Sequence, residues 1–345
     1  GVRLHWVDYR RRPYRYKLTL HVHRSSAGKL KNRVRLKVPR ISGTGFGLRL
    51  EFIQGRSLST RYYGLGNNSE FNQDFVNDKS PDFKDANYYF YILERDPRLL
   101  LSLLREIYGP VSISVGLGLE RIDVDQRGMQ AYYLERGTPD GVVDGFSGFA
   151  SATLQWDTRD DEVVPRRGFF QEWSYESARN SLLGLFFEQI DFSRITLTNA
   201  YYIPLGKRWN FSHRTVLEML SGSAPLYAYG EIGGSRRVKG LGGSDSLRGF
   251  DTQRFTDNIR FFSNAELRYR IHEMLFYRQH IEWQGMMFFD AGRVWPDLDQ
   301  IGLSGMHGSV GGGMRIIWDA DFVIRLGMGV AGEQTDFWLS LGQNF

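Results

Sequence analysis

Apolar and polar residues alternate with a period of two from the start of the chain. Val2, Leu4 and Trp6 interleave with Arg3 and His5. The next stretch sets Tyr14, Tyr16, Leu18, Leu20 and Val22 against Arg15, Lys17, Thr19, His21 and His23. Its neighbour sets Val34, Leu36 and Val38 against Arg33, Arg35 and Lys37, and a fourth sets Phe46, Leu48, Leu50 and Phe52 against Gly47, Arg49 and Glu51. The pattern persists: Val111, Ile113, Val115, Leu117 and Leu119 oppose Ser112, Ser114, Gly116, Gly118 and Glu120, and Ala265, Leu267, Tyr269 and Ile271 oppose Asn264, Glu266, Arg268 and Arg270. Successive side chains point to opposite faces only in extended backbone, so each stretch predicts a β-strand with one greasy and one wet face. The leucine run within Arg98 to Ile107 admits either a short helix or a strand apolar on both faces, and the strand is preferred.

A soluble sandwich and a membrane barrel both contain such strands, but no segment here supplies helices to cover the apolar faces. So many uncovered faces call for lipid. No apolar run of eighteen or more is present, so the chain has no transmembrane helix; a barrel strand shows the bilayer only every second residue and needs none. Connection lengths point the same way. Short turns are expected at Tyr9 to Pro13, Pro39 to Gly45, Glu106 to Pro110, Leu205 to Arg208 and Asp319 to Asp321. Long polar links are expected at Tyr62 to Ala86, Val124 to Gly145, Gly222 to Asn258 and Pro296 to His307. Short on one side and long on the other is the pattern of a transmembrane antiparallel β-barrel. Fifteen strands are readable, five of them after the long link that ends at Asn258, and the even counts usual in such barrels predict a sixteenth ahead of Gly1. The first residues do not form a signal peptide, so an exported protein has had its signal removed.

Composition sharpens this picture. The 39 Gly, 18 Tyr, 24 Phe and 8 Trp against 10 Pro suit short strands, tight turns and aromatic surfaces, and Trp6, Trp156, Trp173, Trp209, Trp283 and Trp318 are candidates for interfacial girdles. The absence of cysteine removes disulfides and Cys-based zinc sites. A net charge of +5 is spread through alternating strands with no reading module, which argues against nucleic acid as a partner. His21 and His23 share a wet face but lack carboxylates at ligand spacing, so no metal or other cofactor is expected. His213 falls on the outward parity of its strand and Ser212 on the other, which leaves the histidine without a nucleophile and the chain without a catalytic site.

The strongest local signal is Gly240-Leu241-Gly242-Gly243-Ser244-Asp245-Ser246-Leu247-Arg248-Gly249-Phe250. Its glycines forbid regular structure, while Arg248 is equipped for one specific contact. On the strands that follow, Glu266 and Asp290 share the wet face, with Phe288 on the same side of the second strand. A guanidinium fork brought there by the loop would bridge both carboxylates. The alternative is that Glu266 and Asp290 meet Arg268, Arg270 or Arg293 instead.

The segment Gly242 to Phe250 closely resembles the signature loop of the BamA/TamA superfamily, also called the bacterial surface antigen family. Phe288-Phe289-Asp290-Ala291-Gly292 resembles that family's Phe-x-Asp strand, and Asn264-Ala265-Glu266-Leu267 its preceding acidic strand. Asp157-Thr158-Arg159-Asp160 with Pro165 and Gly168, the Tyr62-Tyr63-Gly64-Leu65-Gly66-Asn67 loop, and the last strand are similar to family patterns as well. In that last strand Phe337, Leu339, Leu341 and Phe345 share a parity, Gly342 takes the other, and a terminal Phe resembles the assembly signal of outer-membrane barrels. The resemblance implies a sixteen-stranded barrel in the bacterial outer membrane, formed by residues 1–345 as one domain, with loop 223–258 folded into the lumen. It implies that Arg248, Gly249, Phe250, Glu266, Asp290 and Phe288 form the loop lock, and that the seam involves the C-terminal residues above, with Gly342 bending the last strand. It implies phospholipid, lipopolysaccharide and protein clients or subunits as partners. The sequence departs from the pattern in having Leu247 where Val is commoner and in showing no periplasmic POTRA repeats. Two functions are open: assembly or translocation of other proteins, and a passive barrel or plugged pore within a larger complex.

Overall fold

The computed structural model describes all residues except 9, 11–13, 43, 139–143, 180–189, 320–321 and 343–345. Fifteen strands form one antiparallel sheet in which each pairs with the next: β1 (Val2–Asp8), β2 (Tyr16–Arg24), β3 (Leu30–Val38), β4 (Phe46–Arg61), β5 (Phe90–Tyr108), β6 (Val111–Gln126), β7 (Gly145–Asp157), β8 (Gly168–Ser177), β9 (Asp191–Leu205), β10 (Trp209–Ser223), β11 (Ile259–Phe276), β12 (Gln279–Trp295), β13 (His307–Trp318), β14 (Phe322–Ala331) and β15 (Thr335–Leu341). Among the described residues β1 and β15 do not pair with each other. Register follows the apolar period: Trp6 lies opposite Leu18, Leu18 opposite Leu36 and Leu36 opposite Leu50, so a continuous apolar row runs along one face. A slip of one residue would turn every member of that row to the wet side.

The apolar face is exposed. Trp6, Leu117 and Phe337 are 67%, 63% and 75% accessible, and Leu101, Val115, Met287, Phe289 and Val310 stand out beside them. The opposite face holds the buried polar residues, among them Glu120, Glu172, Ser212, Glu218, Arg260, Glu266 and Asp290. This is a core turned inside out, with a greasy belt outside and ion pairs within. Aromatic rings gather at the end of the strands that carries most of the short turns: Trp209 packs against Tyr269 with centroids 4.6 Å apart, and Trp156 against Phe169 at 5.0 Å.

The segment around Arg98 to Ile107 is strand, part of β5. Leu99, Leu101 and Leu103 face out, while Leu100 faces in and packs against an interior aromatic cluster that includes Phe149 and Tyr227, which is why both faces looked apolar. The alternation of connection lengths is less regular than expected. Residues 158–167 make a long link on the short-turn side, while 25–29 and 332–334 are short on the other. The longer link is held by its own polar groups: Arg159 grips Asp157 through two hydrogen bonds of 2.8 and 2.7 Å, and Asp160 accepts from the backbone N–H groups of Arg166 and Arg167. The turns expected at Tyr9 to Pro13 and Asp319 to Asp321 fall largely outside the described residues, and Phe345 lies outside them altogether.

The inside-out arrangement makes a prediction. Leu117→Arg on the outer face should destabilise the protein by about 2–4 kcal/mol, while Ser114→Gln on the inner face of the same strand should change little. Denaturant titration of both variants refolded into lipid vesicles measures the difference.

Candidate functional site

Residues 224–258, between β10 and β11, turn back along the inner face and touch strands from β4 to β14. Asp251 pairs with Arg61 on β4 at 2.5 Å, Glu231 with Arg95 on β5 at 2.7 Å, and Arg237 with Glu176 on β8 at 2.5 Å. Arg194 on β9 donates to the Ala228 carbonyl, and Asp245 meets Arg325 on β14 at 3.2 Å. A segment of this length reaches strands so far apart in the sheet only because the sheet curls around it.

Arg248 is the most completely enclosed of these groups. It is fully buried, and each edge of its guanidinium meets a carboxylate. Nε donates to Asp290 Oδ2 and Nη2 to Asp290 Oδ1, both at 2.7 Å, while Nη1 donates to Glu266 Oε1 at 2.5 Å. The Arg248 backbone N–H adds a bond to Asp290 Oδ2 at 3.1 Å. The guanidinium carbon sits 3.6 Å from the centre of the Phe288 ring, so the cation is held by a fork in its plane and by a π face from below. The acids come within reach of one arginine because β11 and β12 are adjacent, with Glu266 opposite Phe288 and Asn264 opposite Asp290.

Neighbouring residues fix this constellation. Glu266 also accepts from Arg268 Nε at 2.8 Å, with Nη2 of the same guanidinium 2.6 Å away as an ion pair, so it meets Arg268 as well as Arg248. Arg270 pairs instead with Glu273 and Glu282, and Arg293 donates to the Gly302 carbonyl. Asn264 donates to Asp290 Oδ1 at 2.8 Å and to the Ser246 carbonyl, and accepts from Arg214 on β10 at 2.6 Å. The Ser246 hydroxyl closes the glycine-rich turn by accepting from the Gly242 N–H and lying 3.0 Å from the Gly240 carbonyl. Asn264 and Ser246 were not singled out from the sequence, although Asn264 shares the parity of Glu266. Arg214 could be found only from the register of β10 against β11.

Gly249 has a φ of +91°, and a Cβ there would lie 3.1 Å from the backbone carbon of Gly329 on β14. The two glycines let loop and strand meet main chain to main chain. Phe250 is buried, its ring centroid 5.3 Å from that of Phe255, and Phe255 stacks on His307 at 3.8 Å. Farther along the loop, burial works against the charge of Glu231, but Arg95 and Arg237 outweigh it and hold the carboxyl well below the ordinary range. Its stabilising contribution is complete at neutral pH, declines as pH falls below the ordinary carboxyl range, and is gone once the lowered value is passed.

Outside the loop, the long connections interlock. The Asn67 side chain donates to the Gly305 carbonyl at 2.9 Å and accepts from the Val294 N–H at 3.2 Å, while Arg254 of the loop itself clasps Glu333 in the short link after β14 through two bonds of 2.8 Å. The C-terminal candidates lie elsewhere. Phe337, Leu339 and Leu341 face outward, and Gly342, with a φ of +101°, follows the end of β15. The Gly342 N–H donates to the Val323 carbonyl, and its own carbonyl accepts from Arg325 at 2.8 Å. His213 has a hydroxyl neighbour that strand parity alone did not bring to it: its Nε2 lies 2.9 Å from Ser263 Oγ on β11. Among the described residues no carboxylate is hydrogen-bonded to that ring.

The Omp85 superfamily domain matches residues 1–330. The structure is similar to the crystal structure of BamA from Haemophilus ducreyi lacking POTRA domains 1–3, with a TM-score of 0.59 and 14% sequence identity. The match covers 95% of this chain and 64% of that one, so the chain spans less than two thirds of its neighbour's length. The likeness establishes the fold as an antiparallel β-barrel. No curated protein matches the sequence.

Arg248→Ala would leave Asp290 buried with no cation and Glu266 with Arg268 alone, at a cost of about 3–5 kcal/mol. Arg248→Lys, which keeps the charge and loses the fork, should cost less. Gly249→Val forces a branched side chain into left-handed backbone against Gly329 and should cost about 1–3 kcal/mol. Urea titration of the vesicle-refolded variants gives the ranking, and limited proteolysis within 224–258 reports whether the loop has left its seat.

Proposed function

The chain belongs to the Omp85 superfamily, and from that premise we propose that it serves as a bacterial outer-membrane barrel that inserts other outer-membrane proteins or passes polypeptides across the membrane. In this reading residues 1–345 are one barrel domain whose loop is kept inside by Arg248, with Gly249, Phe250 and Phe288 shaping its seat and Glu266 and Asp290 holding its charge. The observation that carries the proposal is that Arg248 is engaged on every edge and wholly buried. Unlike the arginines of the wall, Arg248 belongs to the loop, and two acids on adjacent strands together with a backbone bond hold it in place. The outer belt faces phospholipid and lipopolysaccharide, and the clients are barrels or unfolded chains. The outward row of Phe337, Leu339 and Leu341, followed by the bend at Gly342, marks where the last strand would peel away. No catalytic role is assigned.

One feature favours a second reading, a plugged structural barrel: the loop occupies the interior and is bonded to strands from β4 round to β14. The two separate experimentally. In cells depending on this protein, Arg248→Ala should lower the amount of other folded outer-membrane barrels several-fold while the variant itself still reaches the membrane. Quantitative blotting of heat-modifiable barrels checks this. Unchanged client levels, together with pores that open in planar bilayers when residues 240–250 are deleted, would favour the plug.

A further inference from the structure

The inner face of β1 to β4 differs from the rest of the interior. β3 presents Lys31, Arg33, Arg35 and Lys37 at alternate positions, four cations in a single column. Beside them on the same face, by register, stand Arg3 and His21 next to Arg33, Lys17 and Arg49 on either side of Lys37, and His23 next to Lys31. The carboxylates that meet this wall are Glu51, 3.7 Å from Arg33 and 2.7 Å from Arg35, and Glu162, 3.9 Å from Lys37. Arg3, Lys17, Lys31 and Arg49 have no ion pair among the described residues. The side chains of Arg33, Arg35 and Lys37 keep about a third of their surface open, at 30%, 37% and 29%.

Elsewhere on the inner face arginines are buried and engaged. Arg98 meets Glu120 and Glu176, Arg260 meets Glu218, Arg315 donates to Gln284, and Arg194 to a loop carbonyl. Those charges are answered by other strands or by the loop, whereas the column on β3 meets nothing beyond Glu51 and Glu162. Packing like charges side by side on adjacent strands is destabilising by itself, so the fold gains nothing from Lys17 beside Lys37.

We propose that this wall is a docking track for an extended, acidic polypeptide segment, with side chains of Asp or Glu at alternate positions lying along β3. The proposal rests on the assembly or translocation reading and names the class of chain it would receive. Charge complementarity gives the sign of the occupant, and spacing gives its form. Cations two residues apart on a strand recur every ~6.8 Å, the same interval as alternate side chains of an extended peptide, so four of them match a segment of about seven residues. A phosphate group would be gripped by cations converging on one point, whereas these are strung along a line. Lysines and half-open arginines suit a passing ligand, since they release one carboxylate and take the next without giving up buried forks.

The test uses the full chain in detergent micelles and a fluorescent heptapeptide alternating Thr and Asp, with the Asn-for-Asp peptide as its neutral counterpart. Anisotropy should show binding of the acidic peptide that weakens as salt rises, and little binding of the neutral one. The variant Arg3→Gln/Lys17→Gln/Lys31→Gln removes cations that make no ion pair among the described residues, and should weaken binding about tenfold or more while the barrel keeps its heat-modifiable mobility. In Lys31→Glu/Lys37→Glu, which leaves the wall close to neutral, the preference for the acidic over the neutral peptide should be largely lost. Equal binding of acidic and neutral peptides, or undiminished affinity in the folded triple variant, would overturn the proposal. So would pyrophosphate displacing the peptide where chloride at matched ionic strength does not, because that marks a phosphate site. These results do not bear on Arg248, whose assay in cells stands or falls separately.

Discussion

A guanidinium removed from water must find its hydrogen-bond partners in the protein, and Arg248 finds them on two strands at once. The desolvation cost of such an ion is several kcal/mol, and the fork on Asp290 with the third bond to Glu266 offsets it only while β11 and β12 keep their register. Loop and wall therefore depend on each other: the acids would repel without the arginine, and the arginine could not stay buried without the acids. Asn264, Arg214 and Arg268 extend the same dependence to β10 and along β11.

From that contact the rest of the interior can be built outward. The loop carries Arg248 to the acids of β11 and β12, Glu231 and Arg237 to β5 and β8, and Asp245 to β14. Each is a charged group in a place where it must be paired. The curl of the sheet follows, since one segment can satisfy so many distant strands only if they surround it. The outer face needs no such precision, because lipid accepts any apolar side chain of the right depth.

How much of this was legible in the sequence depended on what each feature requires. Strand identity and the side on which Glu266 and Asp290 lie needed only a period of two, which is local and robust. The contact of Arg248 needed the loop to fold inward, which the period does not encode and the family resemblance suggested. Arg214 needed an inter-strand register set by partners fifty residues away, and the tyrosine cluster of Tyr62, Tyr91, Tyr133, Tyr227 and Tyr229 needed four separate segments to meet. Both faces of β5 read as apolar because Leu100 points at that cluster rather than at a wet lumen, and the strand preferred there is the element observed. The link at 158–167 was missed because its length is stabilised by hydrogen bonds that Asp157 and Asp160 accept, which a rule about turn length does not see.

The contact between Gly249 and Gly329 also constrains the order of events by which the molecule comes together. The loop precedes in the chain four of the strands that enclose it, and at Gly249 it lies against β14 without a side chain to spare. An arginine with its flanking segment cannot be threaded into so tight a seat once the wall is complete. The later strands must instead close over a finger already laid against β11, much as a hand shuts on a coin placed in the palm, and the seat is finished only when β14 arrives.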